Sequence, residues 1–501
     1  MKPHTDIAQR SLIAISWMSS SNLISMSILL MRSILLARLL PVEVFGVYGA
    51  ASAIISVAVI PAVFGLDRAF VHRSEFTQDE SSAAKIHFSL MSISTGIWLA
   101  CMSLVIWWLS DGALRISLLV LTATSAVTLL CLTPLTILER RVVHRRRALE
   151  AVLSAALTTL AAVWLAWMGY PLLAILSTNI VSAALLVLMV YVWRPVWRPT
   201  WGWSTPAVRY FLGFGSKSWL ASLLTELLNR GDDLWVSYYL GAQQMGYYSR
   251  AYTFATYPRQ ILAGPIYAVT GGAYAELKEE PEQLSKAFFR SNAFLVRAGF
   301  LVTGVMLLIA PEFIRLALGD KWLPMLTTFR LLLIFALLEP LRSTISDLFL
   351  AVGAPIQLVW TRLAQLGVLI VGLFVLGSYW GIEGAAVAVN LMILLGIGVM
   401  LYRARQYVRF SLLRLFLAPS LALLLALTAA SIAQFIPGVQ GADWRTAATK
   451  IIVFSGVYLA VLWLLEGKSL QAMLNTSLKL MFSDRPSQTQ PPKDADNGAF
   501  S

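Results

Sequence analysis

Residues 171–192, PLLAILSTNIVSAALLVLMVYV, form an uncharged and almost wholly apolar run of 22 residues. An α-helix rises 1.5 Å per residue, so a run of this length crosses a hydrocarbon layer about 30 Å thick. Comparable runs follow one another along most of the 501 residues, of which 58% are hydrophobic and 13% charged. Soluble proteins carry about 25% charged residues. The sequence therefore predicts an all-α polytopic membrane protein rather than a soluble enzyme.

Apolar runs and helix-breaking residues together predict about fourteen transmembrane helices. Most of them have a Pro or a Gly at one end, and the connections between them are short. The predicted spans are 12–39, 44–67, 86–109, 116–138, 149–168, 171–192, 211–240, 246–272, 287–310, 326–352, 356–378, 381–402, 411–436 and 446–466.

An internal repeat indicates how these helices are grouped. The segment LLPVEVFGVYGAAS (39–52) matches YLGAQQMGYYSRAY (239–252) at one Leu, Gly, Tyr and Ala each, all offset by 200 residues. A weaker match relates the turn at 169–171 to the turn at 381–384. We expect two six-helix lobes around a central cavity, then two extra helices and a disordered polar tail. The predicted boundaries are 1–200, 201–410, 411–470 and 471–501.

Basic residues are distributed unevenly between the loops on the two sides of the membrane. The loops on the side of the N-terminus carry 24 Lys and Arg residues, and the loops on the other side carry 6. The positive-inside rule then places both termini in the cytoplasm. Because these residues stand in short clusters between apolar spans, the net charge of +13 does not indicate a nucleic-acid partner. Cys101 and Cys131 lie within apolar spans and indicate neither a disulfide nor a metal site.

Three segments of the chain form a recognisable set: ILLARLLPVEVFGVYGA (34–50), DDLWVSYYLGAQQMGYYSRAY (232–252) and the basic loop ILERRVVHRRRALEAV (137–152). They resemble motifs of the polysaccharide-export flippases (Wzx-type) of the multidrug/oligosaccharidyl-lipid/polysaccharide exporter superfamily. The resemblance covers residues 10–466 and depends on order and spacing, because no single motif is catalytic. The sequence departs from the family pattern at NRGDD (229–233), where an extra acidic residue appears.

The resemblance implies a transporter and not an enzyme. It implies a flippase that moves undecaprenyl-diphosphate-linked oligosaccharide repeat units across the bacterial inner membrane by alternating access, for exopolysaccharide or O-antigen assembly. No cofactor is implied, and H⁺ and Na⁺ are the candidate coupling ions. The implied partners are the lipid-linked substrate and membrane lipids, with a polysaccharide polymerase and a chain-length regulator as further candidates.

Ionisable residues inside the predicted spans are the candidate site residues. Each costs roughly 2.5–3.5 kcal/mol at a helix centre, so such residues are expected to face a cavity or a partner. Arginine can hold a phosphate through two parallel hydrogen bonds. The substrate-binding residues are therefore predicted to be Arg32, Arg230, Arg259, Arg297, Arg342 and Asn390, with Tyr252 and Tyr257 as further sugar contacts.

The carboxylates in the spans are candidates for carrying a coupling ion. They are Glu226, Asp233 and Glu339. A structural alternative stays open for two of them, because Glu226 could pair with Arg230, and Glu339 with Arg342, along one helix.

Two arginines, Arg259 and Arg297, have no such partner nearby in the sequence, which favours a position on the cavity wall. Arg250 lies half a turn out of phase with Arg259 on an ideal helix. It is therefore expected to reach the membrane surface.

Other functions would require features that differ from those of this sequence. A cation-coupled multidrug antiporter of the same superfamily would need a dominant acidic residue in helix 1, which carries Arg32 and Arg38 instead. A peptidoglycan-precursor flippase would need more arginines in helices 1 and 2. A membrane polysaccharide polymerase or acyltransferase would need a large extramembrane loop or a catalytic cluster. The four histidines lie near the terminus or near predicted cytoplasmic loops, and none is expected to pair with a nucleophile.

Overall fold

The computed structural model describes residues 4–72, 80–140, 144–193, 195–433 and 443–482. These residues form seventeen α-helices and no strand. The helices are α1 (His4–Leu39), α2 (Val42–Ala58), α3 (Ile60–Val63), α4 (Leu66–His72), α5 (Glu80–Leu109), α6 (Gly112–Leu130), α7 (Leu132–Arg140), α8 (His144–Trp167), α9 (Pro171–Val187), α10 (Thr205–Tyr239), α11 (Gly241–Glu276), α12 (Pro281–Phe313), α13 (Leu326–Ala351), α14 (Ile356–Gly372), α15 (Ser378–Ala404), α16 (Leu412–Ala433) and α17 (Trp444–Phe482).

Every predicted span overlaps one helix or a short series of helices, so the all-α polytopic fold is confirmed. Among the described residues, eleven segments are long and apolar enough to cross a membrane. One of them, 356–404, contains both α14 and α15, and neither α10 nor α11 is among the eleven. The number of fourteen crossings therefore stays a prediction. α17 continues to Phe482, beyond the predicted start of the polar tail at 471, whereas 483–501 lie outside the described residues.

Proline and glycine set several helix ends. α9 and α12 begin at Pro171 and Pro281, because the fixed φ of proline suits the first helical turn. Gly169 and Gly381 have φ values of 84° and 57°, a conformation that strains residues with a Cβ. These are the glycines that the second sequence match aligned. The predicted break near 378–381 is thus a turn at Gly381 inside α15.

The helices pack as two groups joined along one boundary. In the first group, named here the N-terminal lobe (α1–α9), α8 packs on α1 and α9, and α6 packs on α2, α5 and α9. In the second, the C-terminal lobe (α10–α15), α13 is central and contacts α11, α12 and α15. At the boundary, α2 of the first lobe packs against α10 and α11 of the second.

Two glycines allow α2 and α11 to cross at close range. A Cβ added to Gly46 would lie 1.6 Å from the carbonyl oxygen of Ala242, and one added to Gly246 would lie 2.3 Å from that of Val42. Both the glycines and their partners are 200 positions apart, so the contact is reciprocal, as in a two-fold interface. This arrangement is what a duplicated helix pair would produce.

Polar contacts join the lobes at the membrane face where α1 ends. Lys321 Nζ donates to the carbonyl oxygens of Arg38 and Leu40, at 3.0 and 2.8 Å, and Trp322 Nε1 donates to that of Ala37 at 2.9 Å. In return, Arg38 Nε donates to the carbonyl oxygen of Ala317 at 2.8 Å. Cations at the carbonyl end of a helix stabilise it, and here each lobe supplies one to the other.

The last two helices attach to the C-terminal lobe through α12. α16 and α17 pack on each other and on α12. Two buried ion pairs fasten α17: Lys450 Nζ lies 2.6 Å from Glu312 Oε1, and Arg297 forms two hydrogen bonds with Glu466. The backbone leaves helical geometry at Glu466, the residue that faces Arg297.

Candidate functional site

Two arginines, one from each lobe, lie together where α1 meets α11. Arg32 Nη1 donates to Thr158 Oγ1 at 2.8 Å, and Arg250 Nη1 donates to Ser33 Oγ at 3.3 Å. Arg250 also lies over the ring of Phe45, 4.6 Å from its centroid, and its buried Nε has no hydrogen-bond partner among the described residues. The two guanidinium groups are within electrostatic range of each other. Within the described part of the chain, neither forms an ion pair with a carboxylate.

Tyrosine hydroxyls surround this arginine pair. The hydroxyl groups of Tyr48 and Tyr257 are close enough to interact electrostatically with both Arg32 and Arg250. Tyr257 also forms a hydrogen bond with Ser33. Asn179 Nδ2, on α9, donates to the Tyr48 hydroxyl oxygen at 3.0 Å. Neutral hydroxyls do not cancel the charge of the guanidinium groups, so the arginine pair is suited to bind an anion.

A second cluster on α10 has the opposite charge balance. Arg230 Nη1 lies 3.2 Å from Asp233 Oδ2, and Arg230 Nε lies 3.5 Å from Glu226 Oε1. The neighbouring Asp232 is buried, and its Oδ2 accepts a hydrogen bond from the Tyr248 hydroxyl at 2.6 Å. One guanidinium thus contacts two carboxylates and has a third nearby, which leaves an excess of negative charge when all are ionised.

A third cluster links α11 to α13. Arg259 Nη1 lies 2.7 Å from Glu339 Oε2, and Arg342 Nη2 lies 2.8 Å from Glu339 Oε1. One carboxylate between two guanidinium groups leaves one positive charge. A small cavity beside Arg259 is also lined by Pro258 and Pro340, and proline is a usual cause of helix bending.

Comparison with known proteins identifies the family of the chain. A family model described as "Polysaccharide biosynthesis protein" matches residues 35–327, more than half of the sequence. The chain belongs to this family. It is 26% identical over 178 residues to the lipopolysaccharide biosynthesis protein WzxC of Escherichia coli, a match that covers 36% of each protein. It is 24% identical over 143 residues to the teichuronic acid biosynthesis protein TuaB of Bacillus subtilis, covering 28% of this chain and 30% of TuaB. The matches span about a third of these curated relatives.

Solved structures with a similar fold are transporters. The lipid II flippase MurJ in an inward closed conformation has a TM-score of 0.73 at 14% identity, over 92% of this chain and all of MurJ. An inward-facing multidrug transporter of the MATE family has a TM-score of 0.54 at 15% identity, over 78% of this chain and 95% of the transporter. At these identities the similarity is one of fold. This member of the polysaccharide biosynthesis family is therefore a multi-pass membrane protein with a flippase-like fold.

Two of the predicted substrate-binding residues are held by contacts within the C-terminal half. Arg297 on α12 donates two hydrogen bonds to Glu466 on α17 and a longer one, 3.5 Å, to the carbonyl oxygen of Arg414 on α16. Its Nη1 donates to the carbonyl oxygen of Ala293, one turn earlier on α12 itself. Asn390 is buried and donates from Nδ2 to the carbonyl oxygen of Leu331 at 2.9 Å. These contacts fasten helices to one another, and the acidic partner of Arg297 lies 169 positions away in the sequence. Its role as a substrate-binding residue stays a prediction.

Two further arginines have partners that are distant in the sequence. Arg259 pairs with Glu339, 80 positions away, so it too has an acidic partner. Arg250 reaches Ser33 on α1 instead of the membrane surface, because the close crossing of α2 and α11 turns it toward the other lobe. The expected pairs Glu226–Arg230 and Glu339–Arg342 are present. Sequence reasoning missed Asp232 altogether, although it stands in the NRGDD segment that departs from the family pattern.

Proposed function

We propose that this protein is a flippase that moves oligosaccharide repeat units, linked to undecaprenyl diphosphate, across the bacterial inner membrane for exopolysaccharide or lipopolysaccharide assembly. Membership of the polysaccharide biosynthesis family and the likeness to the lipid II flippase support the transport of a lipid-linked sugar. The names of WzxC and TuaB support a role in supplying cell-surface polysaccharides.

The arginine pair at the lobe boundary carries the proposal. Arg32 and Arg250 present two guanidinium groups without a carboxylate partner in the described structure. A diphosphate offers the charge and the oxygen geometry that arginine binds best. Because the pair joins the two lobes, phosphate binding would favour one relative position of the lobes over another. A ligand shifts the equilibrium between two positions of the lobes only if it binds one position more tightly than the other. A phosphate held by Arg32 and Arg250 together would meet this condition, because the two arginines belong to different lobes.

The remaining candidate residues take secondary roles in this proposal. Arg259 and Arg342 keep one net positive charge beside Glu339 and provide a further phosphate contact. Tyr252 and Tyr257, on α11, offer aromatic faces and hydroxyls to the sugars. Both termini face the cytoplasm, as the distribution of basic residues indicates. A polysaccharide polymerase and a chain-length regulator would receive the product.

The proposal is tested by binding and by export. In neutral-lipid nanodiscs, the purified protein should bind farnesyl diphosphate, and Arg250→Gln should weaken binding roughly tenfold or more, because a hydrogen bond to a charged group contributes about 1.5–3 kcal/mol. Arg32→Gln should act in the same direction. The wild-type chain should also restore polysaccharide export in a flippase-null strain, and both variants should export less.

Arg115→Gln is the matched control. Arg115 lies in the N-terminal lobe, pairs with Asp111 and bonds to backbone carbonyl groups at a helix end. It should affect neither binding nor export. Wild-type farnesyl diphosphate affinity and export in both Arg32→Gln and Arg250→Gln, at normal protein levels, would overturn the proposed site.

A further inference from the structure

The charged residues that act most strongly on Arg362, on α14, have its own sign. Its half-buried guanidinium group is close enough to interact electrostatically with Arg342 on α13 and with Arg68 on α4. Within the described residues, neither Arg362 nor Arg68 forms a hydrogen bond or an ion pair. Like charges at close range are unfavourable, and the surroundings of a membrane-spanning helix screen them poorly. This arrangement is therefore suited to receive a negative charge from outside the chain.

The packing of α14 on α10 directs Arg362 toward the lobe boundary. Leu369 of α14 packs against Gly231 of α10, where an added Cβ would lie 3.5 Å from Leu369 Cδ2. Arg362 precedes Leu369 by seven residues. Seven residues make about two helical turns, so both side chains lie on the same face of α14. Arg362 therefore lies on the face that packs against α10.

α4 of the N-terminal lobe brings Arg68 to the same helix. The turn that precedes α4 packs on α10 so closely that a Cβ added to Gly65 would collide with Ser218 Oγ, and Phe64 packs on Trp219. Arg68 follows Gly65 by three residues, about one helical turn, and its side chain is exposed. The two lobes thus each bring an arginine to the first part of α10.

This arginine cluster, Arg68, Arg342 and Arg362, lies deeper in the membrane than Arg32 when both are measured from the face where α1 ends. Arg32 precedes the end of α1 by seven residues, about 10 Å along the helix. Arg342 follows the start of α13, on that same face, by 16 residues, about 24 Å. Arg342 shares the carboxylate of Glu339 with Arg259 of α11, the helix that also carries Arg250. Positive charge thus continues along the boundary from one group of arginines to the other.

We propose that Arg68, Arg342 and Arg362 form a second diphosphate site, on the cytoplasmic side of the Arg32–Arg250 pair. The site rests on the proposed function, because its ligand is the diphosphate group of the same lipid-linked substrate. Guanidinium groups hold phosphate oxygens through pairs of hydrogen bonds. Arg68 and Arg362 carry two positive charges that no described carboxylate pairs with, and a diphosphate carries enough negative charge to balance both.

The origin of the arginines in different lobes gives this site a way to release its ligand. Arg68 belongs to the N-terminal lobe, whereas Arg342 and Arg362 belong to the C-terminal lobe. Separation of the lobes at this face would divide the site and weaken its hold on the diphosphate. The ligand in turn favours the position of the lobes in which all three arginines reach it.

The test counts pyrophosphate sites by calorimetric titration. The full-length protein in neutral-lipid nanodiscs is titrated with inorganic pyrophosphate, which reaches both membrane faces and has no lipid chain. The wild type should show two sites. Arg362→Gln should weaken binding at one of them roughly tenfold or more, because it removes hydrogen bonds to a charged group, and Arg250→Gln should weaken the other. Arg68→Gln should act like Arg362→Gln, and its exposed position keeps the test valid if Arg362→Gln does not fold.

Arg405→Gln is the matched control. Arg405 is an exposed arginine just after α15, near the membrane face where α14 begins, so its loss changes the net charge equally. It should leave the titration unchanged. Wild-type titrations in both Arg362→Gln and Arg68→Gln, or a wild type that binds no pyrophosphate, overturn the second site. A single site that Arg362→Gln removes and Arg250→Gln leaves intact supports it, and refutes the Arg32–Arg250 site instead.

Titration in nanodiscs that contain phosphatidylglycerol separates the substrate from a bilayer headgroup as the source of the phosphate. The negative surface of such a bilayer repels pyrophosphate from both sites. A fall in affinity that is no larger at the second site than at the Arg32–Arg250 pair supports the substrate as its ligand. A fall confined to the second site assigns it to a lipid headgroup and overturns the substrate role.

Discussion

Arg297 differs from the arginines proposed to bind substrate, because a buried ion pair holds it within the C-terminal half. Arg297 Nε lies 2.7 Å from Glu466 Oε2, and Arg297 Nη2 lies 2.7 Å from Glu466 Oε1. The side chains are 8% and 15% exposed. Removing one member of a buried ion pair costs about 3–5 kcal/mol, because the other charge is left without a partner. Arg297→Met and Glu466→Met should therefore each lower the free energy of unfolding by about that amount.

The double variant Arg297→Met/Glu466→Met should behave differently from either single variant. Replacing both members of a buried pair with apolar residues of similar volume is often neutral or stabilising. The double variant should recover most of the lost stability, and the two single effects should be strongly non-additive. The assay is thermal unfolding of each purified variant in the same detergent, together with export in a flippase-null strain, normalised to the amount of folded protein.

The export result of the double variant decides between the two interpretations of Arg297. If Arg297 only fastens α12 to α17, a stable double variant exports at the wild-type rate. If Arg297 binds phosphate, as its place in the sequence led us to expect, the double variant is folded and inactive. Lys450→Met, which breaks the other buried pair between α17 and α12, should be destabilising in the same range.

Three further substitutions, two of them with a comparison variant, test the lobe boundary and the fold by thermal unfolding. Gly46→Leu should cost at least about 1–3 kcal/mol through overpacking against α11, whereas Gly96→Leu, with open space around it, should be nearly neutral; equal effects would contradict the close crossing. Trp322→Ala should cost about 3–5 kcal/mol, because this fully buried ring packs between the lobes, and Lys321→Met less than about 1 kcal/mol. Gly381→Ala should cost roughly 1–2 kcal/mol, since its φ is 57°, and an unchanged unfolding temperature would argue against the turn.

The sequence predicts the helices well and the partners of charged residues only in part. Apolar runs and Pro or Gly breaks locate the helices, because both signals are local. The pairs Glu226–Arg230 and Glu339–Arg342 are predictable for the same reason, since three or four residues span one helical turn. The pair Arg297–Glu466 is separated by 169 positions, and only the packing of α17 on α12 brings it together. No periodicity in the chain contains that information.

The internal repeat contains information about the position of Arg250 that hydrophobic periodicity does not. Matching Gly46 with Gly246 predicts that both helices cross closely, because only glycine allows two backbones to approach so near. A close crossing places the residue one turn beyond Gly246, which is Arg250, against the other lobe. The angle between Arg250 and Arg259 on an ideal helix predicts the surroundings of Arg250 less well, because that angle takes no account of the helices that pack against α11.

The polarity of α10 and α11 follows from their position between the lobes. Neither helix is among the segments that meet a membrane-hydropathy criterion in the described chain. Residues 218–239 alone carry four charged side chains, Glu226, Arg230, Asp232 and Asp233. A helix facing lipid could not hold them, because each unpaired charge would cost several kcal/mol. Both helices are instead packed against α2, and their charges face one another or the other lobe. The two helices that read least like membrane spans therefore lie at the lobe boundary, and one of them carries Arg250, on which the proposed function depends.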